Sequence, residues 1–191
     1  MGKIFTALGL MSGTSGDGVD ASIISSDGSV HYNEILSRYY RYDQKTYENI
    51  HNLKTKISKI DDLKKNEIEI DNLEKEITLF HAKVVKEILK LTDKKIDFVG
   101  FHGQTIYHNP LKKVSIQVGN GNLLSQLTKK IVIFNFRQND IKNGGQGAPL
   151  TPIFHKQIVQ KIKIELPVCI LNIGGISNIT FVDNHDEKKI Y

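Results

Sequence analysis

Cysteine is almost absent: Cys169 is the only one in 191 residues. An intramolecular disulfide is therefore excluded, which suits a reducing compartment. Cys169 lies in an apolar run and is expected to be a buried structural thiol. Long hydrophobic runs are absent as well. A membrane span needs roughly 18 consecutive apolar residues, and nothing in the chain approaches that. The opening Met1-Gly2-Lys3-Ile4-Phe5-Thr6-Ala7 is too short for a signal peptide. It reads as a strand rather than a myristoylation signal. No basic stripe carries interleaved aromatics, so the net charge of +5 does not mark a nucleic-acid surface. Lysines are mixed with acids instead, as in Lys64-Lys65-Asn66-Glu67.

With 39% hydrophobic and 25% charged residues, the chain has an ordinary globular balance. Its length allows one domain and part of another. Apolar stretches at 4–10 and 19–25 flank a Gly/Ser/Thr turn and predict a hairpin, continued by a strand over 31–42. A weak helical pattern covers 44–57. A strong one covers 62–91, where Leu73, Ile77, Phe80, Val84, Ile88 and Leu91 recur at three- and four-residue steps. Strands follow at 96–101, 114–118 and 131–136, with a short helix over 121–128. Pro149 and Pro152 open a helix to about 162, and strands at 168–173 and 178–182 close the pattern. Interleaved strands and helices give an α/β class.

Three segments could carry chemistry. Gly13-Thr14-Ser15-Gly16-Asp17-Gly18 places three glycines and two hydroxyls in one hairpin tip. Backbone amides can approach a phosphate there without a Cβ in the way, and Asp17 or Asp20 could hold Mg²⁺ directly or through water. An ordinary turn also uses these residues, and no Gly-Lys-Ser/Thr follows to make a Walker loop. His102-Gly103-Gln104-Thr105 follows the expected strand end, where α/β proteins bind ligands, and its polar side chains suit a polyol or amino sugar. His102 and His108 lack a third partner at metal-ligand spacing. Arg137, Asp140 and the Gly144-Gly145-Gln146-Gly147-Ala148-Pro149 turn form a third polar group. Arg137 could clamp a carboxylate or simply pair with Asp140. Finally, the turn in Asn172-Ile173-Gly174-Gly175-Ile176-Ser177-Asn178 echoes the first glycine hairpin, as a duplicated domain would.

Taken in order, these motifs resemble the anhydro-N-acetylmuramic acid kinase family over essentially the whole chain. The resemblance implies an actin/hexokinase/Hsp70-like ATPase fold with two related domains closing on a cleft. The first would occupy 1–165, and 166–191 would open the second. It implies ATP and Mg²⁺ as cofactors. It also implies a reaction that opens the 1,6-anhydro ring with water and phosphorylates O6, within cytoplasmic peptidoglycan recycling in bacteria. On that resemblance Gly13, Thr14, Ser15, Gly16, Asp17, Gly18 and Asp20 form the first phosphate loop, with Asp17 toward Mg²⁺. Asn172, Gly174, Gly175 and Asn178 form the second. His102, Gln104, Thr105, Arg137, Asp140, Gly145, Gln146 and Gly147 lie toward the sugar.

The departures matter. Gly16 replaces a usual leucine, which is expected to loosen the loop tip by roughly 0.5–1 kcal/mol. Asn135 stands where the family has aspartate, and Gln138 and Asn139 replace arginines. The family's general-base aspartate lies in an Asp-x-Gly-Pro-Gly-Asn motif, expected beyond Tyr191. Asp183 and Asp186 match no part of it. No catalytic residue is therefore assigned here, and the chain alone is expected to be inactive. The alternatives are a non-catalytic remnant, the sugar- and phosphate-binding half of a split kinase completed by a separate chain, or an interaction module. The resemblance also admits a homodimer. No nucleic-acid or membrane partner is expected.

Overall fold

The computed structural model describes residues 2–29, 31–174 and 176–183. β1 (Phe5–Ser12) and β2 (Gly18–Ser26) form the expected antiparallel hairpin, and β3 (Tyr32–Arg41) extends it. β1 also runs parallel to β4 (Phe98–Asn109), and β4 runs parallel to β6 (Ile131–Phe134). The farther half of β4 pairs antiparallel with β5 (Val114–Val118). One mixed six-stranded sheet results.

Helices α1 (Gln44–Lys56), α3 (Glu67–Leu89) and α4 (Gly121–Thr128) pack together and onto the sheet. Asp43 caps α1 by accepting the Thr46 amide at 2.8 Å, and Asn120 caps α4 through the Leu123 amide at 2.9 Å. Inward residues of β1 (Leu8, Leu10), β2 (Val19, Ile23) and β4 (Val99, Phe101) meet Ile50 of α1 and Ile77 of α3. Burial of each such large side chain stabilises the fold by about 1.5–3 kcal/mol.

Four expectations need correction. The long helix over 62–91 is two helices, α2 (Ile60–Lys65) and α3, broken at Asn66. The Asp62 carboxylate accepts the Ser58 and Lys59 amides and so caps the start of α2, while at Asn66 the backbone leaves helical geometry (φ −110°, ψ 19°) and the side chain donates to the Asp62 carbonyl at 2.8 Å. The strand expected at 96–101 runs on to Asn109, so His102–Thr105 lie within β4 rather than after it. Gly103 permits this. Its φ is +72°, and a Cβ there would stand 2.5 Å from the Val118 carbonyl oxygen. The chain can therefore turn its side-chain alternation while β5 takes over pairing from β1. The strand expected over 131–136 ends at Phe134, and a short helix not anticipated from sequence, α5 (Gln138–Lys142), follows.

The fourth correction concerns Cys169, which is exposed. After α6 (Pro152–Ile162), β7 (Val168–Asn172) and β8 (Asn178–Val182) form their own two-stranded sheet. Thr180 and Val182 on its inner face are buried. His155 of α6 hydrogen-bonds Thr180 Oγ1 at 2.8 Å. Cys169 pairs with Phe181 on the outward face, so its apolar neighbours do not cover it.

Candidate phosphate and sugar site

In β1 the inward positions run Leu8, Leu10, Ser12. The last is polar, at the end of the strand, directly before the glycine loop. Ser12 Oγ donates to Gln104 Oε1 at 2.5 Å and accepts from Tyr42 Oη at 3.0 Å. Gln104 Nε2 donates to the Gly13 carbonyl at 3.0 Å and the Thr105 carbonyl at 3.3 Å. Gln104 is fully buried, so its amide lies under the first loop and is engaged there by the protein itself. Burial raises the Tyr42 phenol's pKa, keeping it a neutral donor to Ser12.

The loop tip is a turn closed by Gly16 N donating to Gly13 O at 3.1 Å. Gly16 is buried at φ +65°, and a Cβ there would stand 2.9 Å from Ile50 Cγ2. The backbone therefore suits glycine, and the tip is braced rather than loose. Asp17 accepts from Ser15 Oγ and from Tyr39 Oη, the latter at 2.9 Å. The Ser15 hydroxyl, then Tyr39, hold its carboxyl below the usual range. Asp20 shifts the other way, through burial and then the charge of Asp17. Among the described residues no group of three or more His, Cys, Asp or Glu could hold a metal.

His102 is buried. Its Nδ1 donates to the Gly103 carbonyl at 2.8 Å, while its Nε2 accepts from Arg137 Nε at 3.1 Å and Nη2 at 2.9 Å. Desolvation, then the Arg137 charge, push the imidazole down to about 4. It is neutral, with the proton on Nδ1. Arg137 Nη1 donates to the Gly147 carbonyl at 2.6 Å. Asp140 does not pair with Arg137. It accepts the Gly147 amide at 2.6 Å, and its own carbonyl accepts the Gly145 amide at 2.8 Å, fixing the 145–147 turn. Gln146 is exposed at that turn. Thr105 accepts from Gln117 Nε2 at 3.2 Å.

The structure thus brings the first loop, the His102–Thr105 segment and the Arg137–Gly147 segment together. They stand where the parallel pairing of β4 with β1 and β6 runs out, beyond the C-terminal ends of β1 and β6 and midway along β4. Asn172, Gly174 and Asn178 stand at the tip of the separate β7–β8 sheet. No hydrogen bond among the described residues joins them to the first loop. Gly175 lies outside the described residues. Two hollows, of about 440 and 310 Å³, lie along α1 and α3 and contain none of the motif residues. The sequence reading missed Tyr39, Tyr42, His51 and Lys54 around the loop. The polar positions 51 and 54 of the amphipathic 44–57 segment, three residues apart, were the available signal.

A family model described as anhydro-N-acetylmuramic acid kinase matches residues 5–191. A curated anhydro-N-acetylmuramic acid kinase of Pelagibacter ubique is 58% identical, the match covering 99% of this chain and 51% of that protein. The Agrobacterium fabrum protein of the same name is 37% identical over 95% of this chain and 50% of its own length. That of Bradyrhizobium diazoefficiens is 36% identical over 96% and 51%. The chain spans about half the length of the curated relatives it matches. The mixed α/β sheet agrees with the actin/hexokinase/Hsp70-like ATPase fold of these kinases. With the match running over all but the first four residues, the chain belongs to the anhydro-N-acetylmuramic acid kinase family.

Proposed function

We propose that this chain supplies the first phosphate loop and the sugar-facing segments of an ATP-dependent kinase of 1,6-anhydro-N-acetylmuramic acid. The full reaction opens the anhydro ring with water and phosphorylates O6, recycling peptidoglycan in the bacterial cytoplasm. One observation carries this reading. The three polar segments converge at the C-terminal end of one parallel strand group, in a chain whose family match is continuous.

In this reading Gly13–Gly18 receives the ATP phosphates. Asp17, held ionised, would hold Mg²⁺ directly or through water, and Asp20 adds to the negative charge there. The Thr14 and Ser15 amides suit a phosphate, and the magnesium ion would neutralise charge on the transferred group. Arg137 uses three of its five donors within the protein and retains two for a substrate carboxylate. Thr105 and the Gly145–Gly147 turn face the sugar, with Gln146 at its exposed tip. The β7–β8 turn with Asn172, Gly174, Gly175 and Asn178 forms the second phosphate loop. Residues 1–165 form the first domain, and 166–191 open the second.

General-base catalysis requires a carboxylate in hydrogen-bond reach of the attacking water. Asp183 is exposed at the end of β8, and Asp186 lies outside the described residues. The base belongs to sequence that follows the second hairpin in the family. The test is coupled ADP release with ATP, Mg²⁺ and the anhydro sugar, with and without a polypeptide carrying the remaining half. Sugar-dependent turnover is expected only when both halves are present. Turnover by these residues alone would contradict the assignment of the base. No turnover with both halves, together with no triphosphate binding, would instead identify a non-catalytic remnant.

A further inference from the structure

The first glycine loop is held from behind by three side chains, two of them outside every motif. Three consecutive carbonyls of its tip have side-chain partners. Gly13 O accepts from Gln104 Nε2 at 3.0 Å, Thr14 O from Lys54 Nζ at 2.7 Å, and Ser15 O from His51 Nε2 at 2.8 Å. With a carbonyl as acceptor, His51 Nε2 carries the proton. His51 and Lys54 are three residues apart on α1 and so share a helix face. Ile50, beside them, packs under Gly16. The face of α1 toward the loop therefore has an apolar contact and two donors.

The consequence follows from the planar trans peptide, in which the C=O and the next N–H point in opposite directions. Tying the Gly13 carbonyl inward turns the Thr14 amide outward. Tying the Thr14 carbonyl inward does the same to the Ser15 amide. Neither amide has an acceptor among the described residues. Lys54 also has no carboxylate partner among the described residues. The ion pairs among the described residues are Lys56–Glu69, Lys65–Asp62 and Lys83–Glu87. An uncompensated ammonium therefore touches the loop from the side opposite its open amides.

We infer that His51 and Lys54 are positioning residues that preorganise the Thr14 and Ser15 amides as a cradle for a phosphate, with Lys54 adding positive charge behind it. The identity of that phosphate, the ATP triphosphate, rests on the proposed function. The loop geometry does not.

Two measurements on the full chain separate these points. The first is ¹⁵N relaxation of residues 13–17 without ligand. Lys54→Met and His51→Leu are expected to lower the order parameters of Thr14 and Ser15 from about 0.85 toward 0.6, while α3 and β4 stay unchanged. Lys54→Arg and His51→Gln, which keep a donor, are expected to retain the order. The second is calorimetric binding of inorganic tripolyphosphate and of a non-hydrolysable ATP analogue. Lys54→Met is expected to weaken both about tenfold, as loss of a preorganising charged hydrogen bond would. If the native chain binds and the variants match it in affinity and loop order, the inference is overturned and the functional reading stands. If the native chain binds neither ligand, the turnover assay with both halves decides the functional reading. The relaxation data then decide the brace, and unchanged order in Lys54→Met overturns it.

Discussion

His102 Nε2 accepts two hydrogen bonds from the Arg137 guanidinium, at 3.1 and 2.9 Å, and can do so only while neutral. His81, fully buried in α3 against Phe101, is likewise neutral, with Nδ1 bonded to the Ile77 carbonyl at 2.8 Å. Burial holds both imidazoles at about 4, against an ordinary value near 6.5. The unfolded chain takes up these protons as pH falls below 6.5, and the folded chain resists until about 4. Stability is therefore fully present above that window and lost within it, by at most about 3 kcal/mol per histidine. Urea denaturation across the window is expected to show this slope, shallower in His102→Asn and in His81→Leu. An unchanged slope in both variants would contradict the assignment.

Gln104 links β4 to the end of β1 and its loop through Ser12 and the Gly13 carbonyl, and bonds the Thr105 carbonyl of β4 as well. Gln104→Ala should leave Ser12 and the Gly13 carbonyl without it and cost about 1–3 kcal/mol. Gln104→Glu keeps an acceptor for Ser12 but sets a carboxylate against two carbonyl oxygens. It is expected to cost more than the alanine change. Denaturation midpoints at neutral pH check the order, and a milder effect of glutamate would refute this account of the network.

The glycine hairpin, the α/β class and the helix over 121–128 were legible because turn chemistry and periodicity are local. The resemblance directs Gln104 toward the sugar, and its part as a buried brace was not legible. Its position depends on Gly103 shifting the β4 alternation after the parallel pairing ends, which no local pattern announces. Cys169 shows the same limit in reverse. An apolar run signals a strand, yet which face is covered depends on partners distant in sequence. The break at Asn66 was hidden because periodicity continues through it, and the departure is confined to the backbone of that one residue. The Asp140 cap of the Gly145–Gly147 turn was equally hidden, since an Arg–Asp ion pair fits the same sequence.

Gly16 stands where the resemblance leads one to expect leucine, and restoring that residue tests how the loop is built. Gly16 has φ +65°, and Ile50 fills the space a Cβ would enter. A left-handed conformation costs a non-glycine residue about 1–2 kcal/mol before any clash. Gly16→Leu is therefore expected to destabilise this chain. The double change Gly16→Leu with Ile50→Ala should recover the packing share of the loss but not the backbone share. A gain in melting temperature for Gly16→Leu alone would show that the loop readily adopts another backbone.

The β7–β8 sheet has two unlike faces. Thr180 and Val182 are buried on the inner one, where His155 fixes the register to α6. On the outer face Leu171 pairs with Ile179 and Cys169 with Phe181, and Leu171 and Ile179 are 57% and 61% exposed. An isolated two-stranded sheet is marginal, and an apolar face with open edges invites pairing. This face is expected to drive concentration-dependent self-association of the chain. Leu171→Lys with Ile179→Glu replaces one cross-strand apolar pair by an opposite-charge pair, which preserves the strand contact. Sedimentation velocity should show the double variant monomeric at concentrations where the native chain associates, with its far-ultraviolet spectrum unchanged. Thr180→Val, which removes only the His155 bond on the inner face, should leave association unaltered. Persistent association of the charged variant would transfer the effect to the β6 edge, where Ile131 and Ile133 are also exposed, and would refute the role given to the hairpin.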